Sequence, residues 1–204
     1  MDPDSISSLI AQLRVRELTD VAIARLEEHG AAAVPPLIEV ITAIEEDEAV
    51  RRLAAITLAH IPEGARHLLT LVAGADDDLG DLASWAMRWP PASRALEPVL
   101  LALLDSPTPA LRRRGARGLR YIGVDLADLD RRVLQALSDP DAVVRCKAIE
   151  IIESVLGNSY VAGRETAIES IVRPLEVDPD ASVRAAAERV LAALQQQPRH
   201  TKSS

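Results

Sequence analysis

Small and aliphatic residues recur at fixed spacing along this chain. An aliphatic anchor is followed four residues later by Ala or Gly in six copies, and eight residues later by an aliphatic in five of them. Residues four and eight apart share one face of an α-helix, and a small residue within that face lets another helix approach closely. The pattern therefore predicts six copies of a helix suited to tight packing. The anchors are Leu18, Val50, Leu82, Leu111, Val144 and Val183, and the small residues are Ala22, Ala54, Ala86, Gly115, Ala148 and Ala187.

A second apolar segment lies between successive anchors, and it predicts a partner helix. These segments are 34–44, 67–74, 96–104, 130–137 and 167–175. The links before the anchors contain Asp-Pro-Asp at 139–141 and 178–180, where Asp caps a helix and Pro occupies its first turn. We therefore expect a row of about five helical hairpins in a single domain over 1–195, followed by a disordered polar tail at 196–204.

The composition favours the same all-α class. Ala and Leu supply 60 of the 204 residues, Phe is absent, and only two Trp and two Tyr are present. A chain so rich in strong helix formers and so poor in aromatic residues is typical of helical proteins rather than of sandwiches or barrels, which depend on β-branched and aromatic residues.

Charge and cysteine content limit the classes of partner and the cellular compartment that are expected. Residues 1–102 carry 8 basic and 17 acidic side chains, and the whole chain has a net charge of -8. An acidic chain repels phosphate groups, so nucleic acid is disfavoured as a partner unless the Arg-rich segment 112–132 binds it alone. The single cysteine, Cys146, excludes an internal disulfide, and neither a signal peptide nor a membrane-spanning run is evident. A soluble cytoplasmic protein is expected.

Two stretches resemble a known family, the HEAT repeats, and specifically the short HEAT-like repeats of the phycobilisome-lyase type. They are AAAVPPLIEVI at 31–41 and the pattern DPDxxVRxxA at 139–148 and 178–187. The resemblance covers residues 15 to 194. It implies an α-solenoid, an α-α superhelix whose second helices line a concave surface. The third copy departs most from the repeated pattern, because Pro90 replaces the aliphatic residue eight positions after its anchor. Its first helix is therefore expected to end near Trp89.

An arginine follows the anchor in four copies, at Arg51, Arg112, Arg145 and Arg184. A cation in the first turn of a helix opposes the helix dipole, so a carboxylate from a link is expected to hold it. The resemblance implies the same ladder of Asp and Arg between repeats. The alternative is a row of arginines that binds a ligand. The candidate carboxylates are Asp139, Asp141, Asp178 and Asp180.

No group of residues has the spacing of a catalytic or metal site. His29, His60, His67 and His200 form no pair at metal-ligand spacing, and Cys146 has no histidine in its repeat to act as a base. Catalytic residues, metals and cofactors are therefore not expected. Cys146 is interpreted as an inert thiol, although Arg145 and Lys147 would lower its pKa if it were exposed.

Three further features each allow two interpretations. Trp85 and Trp89 share a helix face, and they either stack on a ligand or fill a gap in the third copy. Arg113, Arg117 and Arg120 form either a patch for an anion or an acidic partner, or a solvated face. The acidic neighbours for that solvated face are Asp105, Asp125, Asp128 and Asp130.

The third feature is an insertion at 157–163, which displays Tyr160 either as a contact residue or without a role.

The leading hypothesis is a non-enzymatic scaffold or adaptor that binds a protein or peptide on the concave surface. Mixed charges there favour protein recognition over a phosphate track. The alternatives are a HEAT-like enzyme, either a DNA glycosylase or a bilin lyase subunit, and an immunity or inhibitor protein. The resemblance places these candidates on the second helices: Glu39, Arg66, His67, Arg94, Glu97, Arg131, Arg132, Gln135, Glu169 and Arg173.

Overall fold

The chain is helical throughout the part that the structure describes. The structure is a computed structural model that describes residues 4–88, 92–122, 131–156 and 165–196, and no strand occurs within those ranges. The predicted all-α class is therefore confirmed. The helices are α1 (Ile6–Gln12), α2 (Thr19–His29), α3 (Val34–Thr42), α4 (Glu48–His60), α5 (Pro62–Ala73), α6 (Asp77–Ala86), α7 (Ala92–Leu103), α8 (Pro109–Ile122), α9 (Arg131–Ala136), α10 (Ala142–Leu156), α11 (Glu165–Val172) and α12 (Ala181–Gln196).

Side-chain oxygens and prolines determine several helix ends. Ser5, Asp47 and Asp76 each accept an N–H from the first turn of α1, α4 and α6, respectively. Pro62 opens α5, where its missing N–H removes no helical hydrogen bond. Pro174 lies just beyond the end of α11, and the chain continues there as a 3-10 helix, Arg173–Val177.

Helices alternate between two roles along the chain. The first helices, α2, α4, α6, α8, α10 and α12, each contain an Ala or Gly of the repeated pattern. The second helices, α3, α5, α7, α9 and α11, each follow a first helix. The described residues therefore form five successive pairs and a final first helix, as the sequence predicted.

The small residues of the pattern are buried, as predicted. Ala22, Ala54, Ala148 and Ala187 have no exposed surface, and Ala86 is 3% exposed. The five aliphatics eight residues after the anchors are buried as well.

Gly115 shows why a small residue is needed at this position. A Cβ atom added to Gly115 would lie 2.7 Å from the carbonyl oxygen of Leu100 and 3.0 Å from the Cβ of Leu103. The end of α7 therefore approaches the backbone of α8 more closely than any larger residue permits.

The chain divides into two compact units, and the boundary falls within α7. Unit 1 comprises residues 1–99, where α4 contacts α2, α3, α5 and α6. Unit 2 comprises residues 100–204, where α10 contacts α8, α9 and α12. Within each unit, first helices stack on first helices. The single domain over 1–195 stays a prediction, and the predicted tail lies outside the described residues except for Gln196.

Two details differ from the expectations. The anchor Leu18 is 42% exposed, because the described residues place no first helix before α2 to cover it. Helix α6 ends at Ala86, before the expected end near Trp89, and residues 89–91 lie outside the described part of the chain.

Candidate functional site

Two arginines of unit 2 bind aspartates one repeat further along the chain. Arg112 donates from Nε and Nη2 to the two carboxylate oxygens of Asp139, at 2.7 and 3.1 Å. Arg145 donates in the same way to Asp178, at 2.8 and 2.7 Å. These four side chains are between 6% and 13% exposed. Bidentate pairs sheltered from water hold neighbouring repeats together more strongly than exposed ion pairs do.

The same arginines also hold the links that precede them. Nη1 of Arg145 donates to the carbonyl oxygens of Asp139 and Pro140, at 2.8 and 3.2 Å. Nη1 of Arg112 donates likewise to the carbonyl oxygens of Ser106 and Pro107. Each guanidinium therefore joins its own link to the next one.

The other two arginines of the predicted ladder depart from this arrangement. Arg184 donates from Nη1 to the carbonyl oxygens of Asp178 and Pro179, at 2.7 and 3.0 Å, but it reaches no carboxylate of the described residues. Arg51 donates from Nε to the carbonyl oxygen of Ile41 at 2.9 Å. The acceptor is therefore a backbone oxygen in the last turn of α3 instead of an aspartate of a link.

Asp141 and Asp180 act differently from Asp139 and Asp178. The Oδ1 atom of Asp141 accepts the N–H of Val143 at 2.9 Å, and its other oxygen pairs with Arg113. The Oδ1 atom of Asp180 accepts the N–H of Ser182 at 2.8 Å. Both carboxylates therefore cap the start of a first helix.

The ion pairs shift the acidity of the carboxylates. Hydrogen bonds from Arg145 lower the pKa of Asp178, and hydrogen bonds from Arg113 lower the pKa of Asp141. In return, Asp178 raises the pKa of Arg145. The charged form of each carboxyl group is thus the one that the fold stabilises.

The arginines of α8 pair with acidic residues that differ from the predicted ones. Arg113 binds Asp141 at 2.6 Å, and Arg120 lies 3.8 Å from Glu150 on α10. Asp105 binds Arg132 instead, at 2.7 Å. The reason is that α10 stacks on α8, so that Glu150 of α10 and Asp141 just before it lie beside the arginines of α8. The spacing of residues within α8 does not reveal this relationship. The other expected partners, Asp125, Asp128 and Asp130, lie outside the described residues, and Arg117 has a partner.

Arg114 is buried within the arginine-rich run, at 1% exposure, and sequence reasoning missed it. Its position, three residues after the anchor, is also buried in α12, where Ala186 has no exposed surface. The same position is 58% exposed at Val21 of α2, so the repeat pattern by itself does not identify Arg114 as an inward-facing residue.

The candidates on the second helices fall into two groups. Arg132 binds Asp105, and Glu169 binds Arg173 within one helical turn. The other seven side chains make no hydrogen bond or ion pair within the described ranges, and we call them the open second-helix side chains. They are Glu39, Arg66, His67, Arg94 and Glu97 in unit 1, and Arg131 and Gln135 in unit 2. Tyr160 lies outside the described residues.

Trp85 of unit 1 is covered by two cations. The guanidinium of Arg88 lies 4.3 Å from the centre of the Trp85 ring, and that of Arg52 lies 5.4 Å from it. These distances are typical of cation–π contacts. Trp89, the other half of the predicted aromatic pair, lies outside the described residues.

The cysteine and the histidines have local partners. Burial raises the pKa of Cys146, whose sulfur lies 3.6 Å from a carboxylate oxygen of Glu150. His60 Nδ1 lies 2.5 Å from Glu27, and His29 Nε2 lies 2.9 Å from the carbonyl oxygen of Asp4. Among the described residues, no three His, Cys, Asp or Glu side chains are grouped to hold a metal ion.

Comparison with known proteins identifies the repeats. The family model described as HEAT repeats matches residues 96–199, which is half of the chain. A search of curated proteins found no match. No helix of the described part is long and apolar enough to cross a membrane.

Solved structures of helical repeat proteins are similar to this one. An archaeal HEAT-like repeats protein from Thermococcus onnurineus NA1 is 17% identical, with a TM-score of 0.54 over 98% of this chain and 84% of that one. A designed armadillo repeat protein in complex with the peptide (KR)4 is 16% identical, with a TM-score of 0.53 over 93% and 99%. An engineered protein is 20% identical, with a TM-score of 0.54 over 93% and 96%. At these identities the likeness concerns the fold.

Proposed function

This chain belongs to the HEAT repeat family, and we propose that it is a scaffold that binds a protein or peptide through its second helices. Repeats of this kind contact only their neighbours along the chain, so part of each helix pair stays available to a partner. The designed armadillo repeat protein of similar fold, which binds a peptide, supports this proposal.

The observation that carries the proposal is a contrast in charge pairing between first and second helices. In unit 2, the carboxylates of Glu150 and Glu153 on α10 are engaged by Arg120 of α8 and Arg189 of α12. Most charges of the first helices are therefore used within the repeats. The open second-helix side chains, in contrast, have no such partners within the described residues. Charged groups without internal partners on a repeat surface are suited to recognition.

The open second-helix side chains of unit 1 favour a partner with both signs of charge. In unit 1, Arg66 and Arg94 are basic, whereas Glu39 and Glu97 are acidic. Unit 2 contributes the basic side chain of Arg131. Nucleic acid binding requires several cations along a phosphate track, and the interspersed carboxylates oppose it. We therefore favour a polar peptide segment that carries acidic and basic residues.

A displayed library of random peptides provides the test. Peptides selected on the full chain are titrated against the variants Arg66→Glu, in unit 1, and Arg131→Glu, in unit 2. Glu188→Arg is the control, because Glu188 is exposed on the first helix α12 and forms no ion pair within the described residues. We expect charge reversal on the second helix that holds the peptide to weaken binding by about tenfold or more, while the control binds normally.

Two results would contradict the proposal. One is that both second-helix variants bind every selected peptide as well as the parent does. The other is that no peptide is selected, while labelled duplex DNA or a bilin binds at micromolar concentration. The second result would favour the alternative enzyme classes.

A further inference from the structure

The five second helices share one pattern of burial, and it aligns them position by position. Each contains, within it or at its end, two aliphatics four residues apart that are at most 6% exposed. These are Leu37 and Ile41, Leu68 and Val72, Leu96 and Leu100, Val133 and Leu137, and Ile168 and Val172. The position two residues before each pair is exposed in all five helices, and on α5, α7 and α9 it is occupied by Arg66, Arg94 and Arg131. An arginine therefore recurs at one exposed position of three successive second helices.

Two of these arginines, Arg66 and Arg94, belong to unit 1, which is rich in carboxylates. Residues 1–99 carry 17 acidic and 8 basic side chains. Three other arginines of the unit each bind a carboxylate, and they are Arg14, Arg25 and Arg52. Arg66 and Arg94 bind none within the described residues, although Glu97 lies only three positions after Arg94. An acidic ligand is therefore attracted at these two guanidiniums and repelled by most of the unit.

The spacing between Arg66 and Arg94 follows from the stacking of the repeats. Helices α4 and α6 pack directly on each other, and packed helices lie about 8–10 Å apart. Helices α5 and α7 follow these first helices, so equivalent positions on α5 and α7 are separated by about the same step. Two carboxylates that meet both arginines must therefore be about 10 Å or slightly less apart.

One peptide conformation repeats at this distance. A polyproline II helix has about three residues per turn and a rise of about 3.1 Å per residue, so side chains three residues apart lie on one side, about 9 Å from each other. A β-strand, in contrast, presents side chains on one side about every 7 Å. The spacing of the two arginines therefore favours the polyproline II conformation.

A proline in α7 adds a backbone acceptor beside Arg94. Pro98 lies inside the helix and is exposed. Because proline has no N–H, the carbonyl oxygen of Arg94, four residues earlier, lacks its usual helical donor. A peptide residue whose carboxylate pairs with the Arg94 side chain can donate its backbone N–H to this oxygen. A donor and an acceptor at one position suit a peptide better than a simple anion.

We propose that Arg66 and Arg94 bind an acidic peptide segment in the polyproline II conformation, with two Asp or Glu side chains three residues apart. This inference rests on the proposed function and specifies the partner that unit 1 recognises. Glu39 lies on α3, the second helix before α5, and it is exposed. It can pair with a basic residue further along the same segment, which agrees with a partner that carries both signs of charge.

Two labelled peptides of identical composition test the spacing. The peptide PPEPPEPP has its Glu residues three apart, whereas PPEPEPPP has them two apart, and the prolines favour the polyproline II conformation in both. Their binding to the full chain is measured by fluorescence anisotropy at low ionic strength. We expect a Kd on the order of 0.1 mM for PPEPPEPP. PPEPEPPP should bind about three- to fivefold more weakly, because only one of its carboxylates meets an arginine at a time.

Variants of the full chain assign the effect to the two arginines. Arg66→Gln and Arg94→Gln should each weaken the binding of PPEPPEPP about three- to fivefold and leave the two peptides with equal affinity. Arg16→Gln is the matched control and should bind like the parent. Arg16 is an exposed arginine of unit 1 that lies outside the second helices and forms no ion pair within the described residues.

Three results would each overturn the proposal. They are no binding of PPEPPEPP at about 1 mM protein, equal affinities of the parent for the two peptides, and an equal loss of affinity in Arg16→Gln and the second-helix variants. The scaffold function fails separately. Library peptides that bind the second helices without an acidic pair of this spacing would overturn the assignment of Arg66 and Arg94 alone, whereas a library that yields no binding peptide would contradict the scaffold function itself.

Discussion

Arg145 binds both carboxylate oxygens of Asp178, which lies 33 residues later in the chain. The aspartate side chain is 6% exposed, and the arginine also donates to two carbonyl oxygens of its own link. One side chain thus joins the starts of two successive first helices, α10 and α12.

Replacing this arginine should destabilise unit 2. Arg145→Ala leaves the sheltered carboxylate of Asp178 without its counter-ion, and two carbonyl oxygens lose their donor. We expect the free energy of unfolding to fall by about 2–4 kcal/mol, measured by urea denaturation followed by circular dichroism. Arg173→Ala, which removes an exposed pair with Glu169, is the control and should leave the midpoint unchanged. Equal midpoints for the parent and Arg145→Ala would show that the pair does not stabilise the repeats.

The stability of unit 2 should depend on pH in the acidic range. Arg145 and Arg113 lower the pKa of Asp178 and Asp141 in the folded state, so folding favours the charged carboxylates. Their contribution is complete above the pKa of an unfolded aspartate, about 4, and is lost as pH falls through the lower folded values. Urea midpoints measured from neutral pH downward should therefore decrease below about pH 4.

The Arg145→Ala variant provides the comparison for this pH dependence. Without the guanidinium, the pKa of Asp178 is no longer held down, so less stability remains to be lost on acidification. The difference between parent and variant should shrink as pH falls. A constant difference across the acidic range would contradict the role assigned to Arg145.

Two glycines of α8 should respond differently to an added methyl group. At Gly115 the new Cβ would meet the backbone oxygen of Leu100, whereas at Gly118 it would meet the flexible end of the Leu100 side chain. Gly115→Ala should therefore destabilise the protein by about 1–3 kcal/mol, despite the helix propensity of Ala. Gly118→Ala should cost less, because the Leu100 side chain can move aside. Thermal unfolding of both variants checks the order, and the reverse order would contradict the close approach of α7 to α8.

Cys146 should react slowly while the protein is folded. Burial and the nearby Glu150 carboxylate raise the pKa of its thiol, so little thiolate is present at neutral pH. With a chromogenic disulfide reagent at pH 7.5 to 8, the folded chain should react several-fold more slowly than the same chain in urea. A faster reaction in the folded state would indicate an activated thiol and would reopen a catalytic interpretation.

The candidate surface was only partly predictable from the sequence. The DPDxxVR pattern brought together the residues of the Arg145–Asp178 pair, because the pattern recurs at the spacing of one repeat. It did not distinguish Asp178, which binds an arginine of the preceding repeat, from Asp180, which caps its own helix. That distinction depends on which of the two carboxylates faces the preceding repeat, and only packing determines this.

The sequence alone determined the alternating helices from α2 onward and the six small residues between them, since these follow from local propensity and from spacing within one helix. Only the tertiary structure decided how the charges pair. Arg113 and Arg120 meet carboxylates that lie about one repeat further along, and Arg114 is turned into the interior of its unit. Pairing of this kind depends on the rotation of one helix against the next, and spacing along a single helix does not specify that rotation.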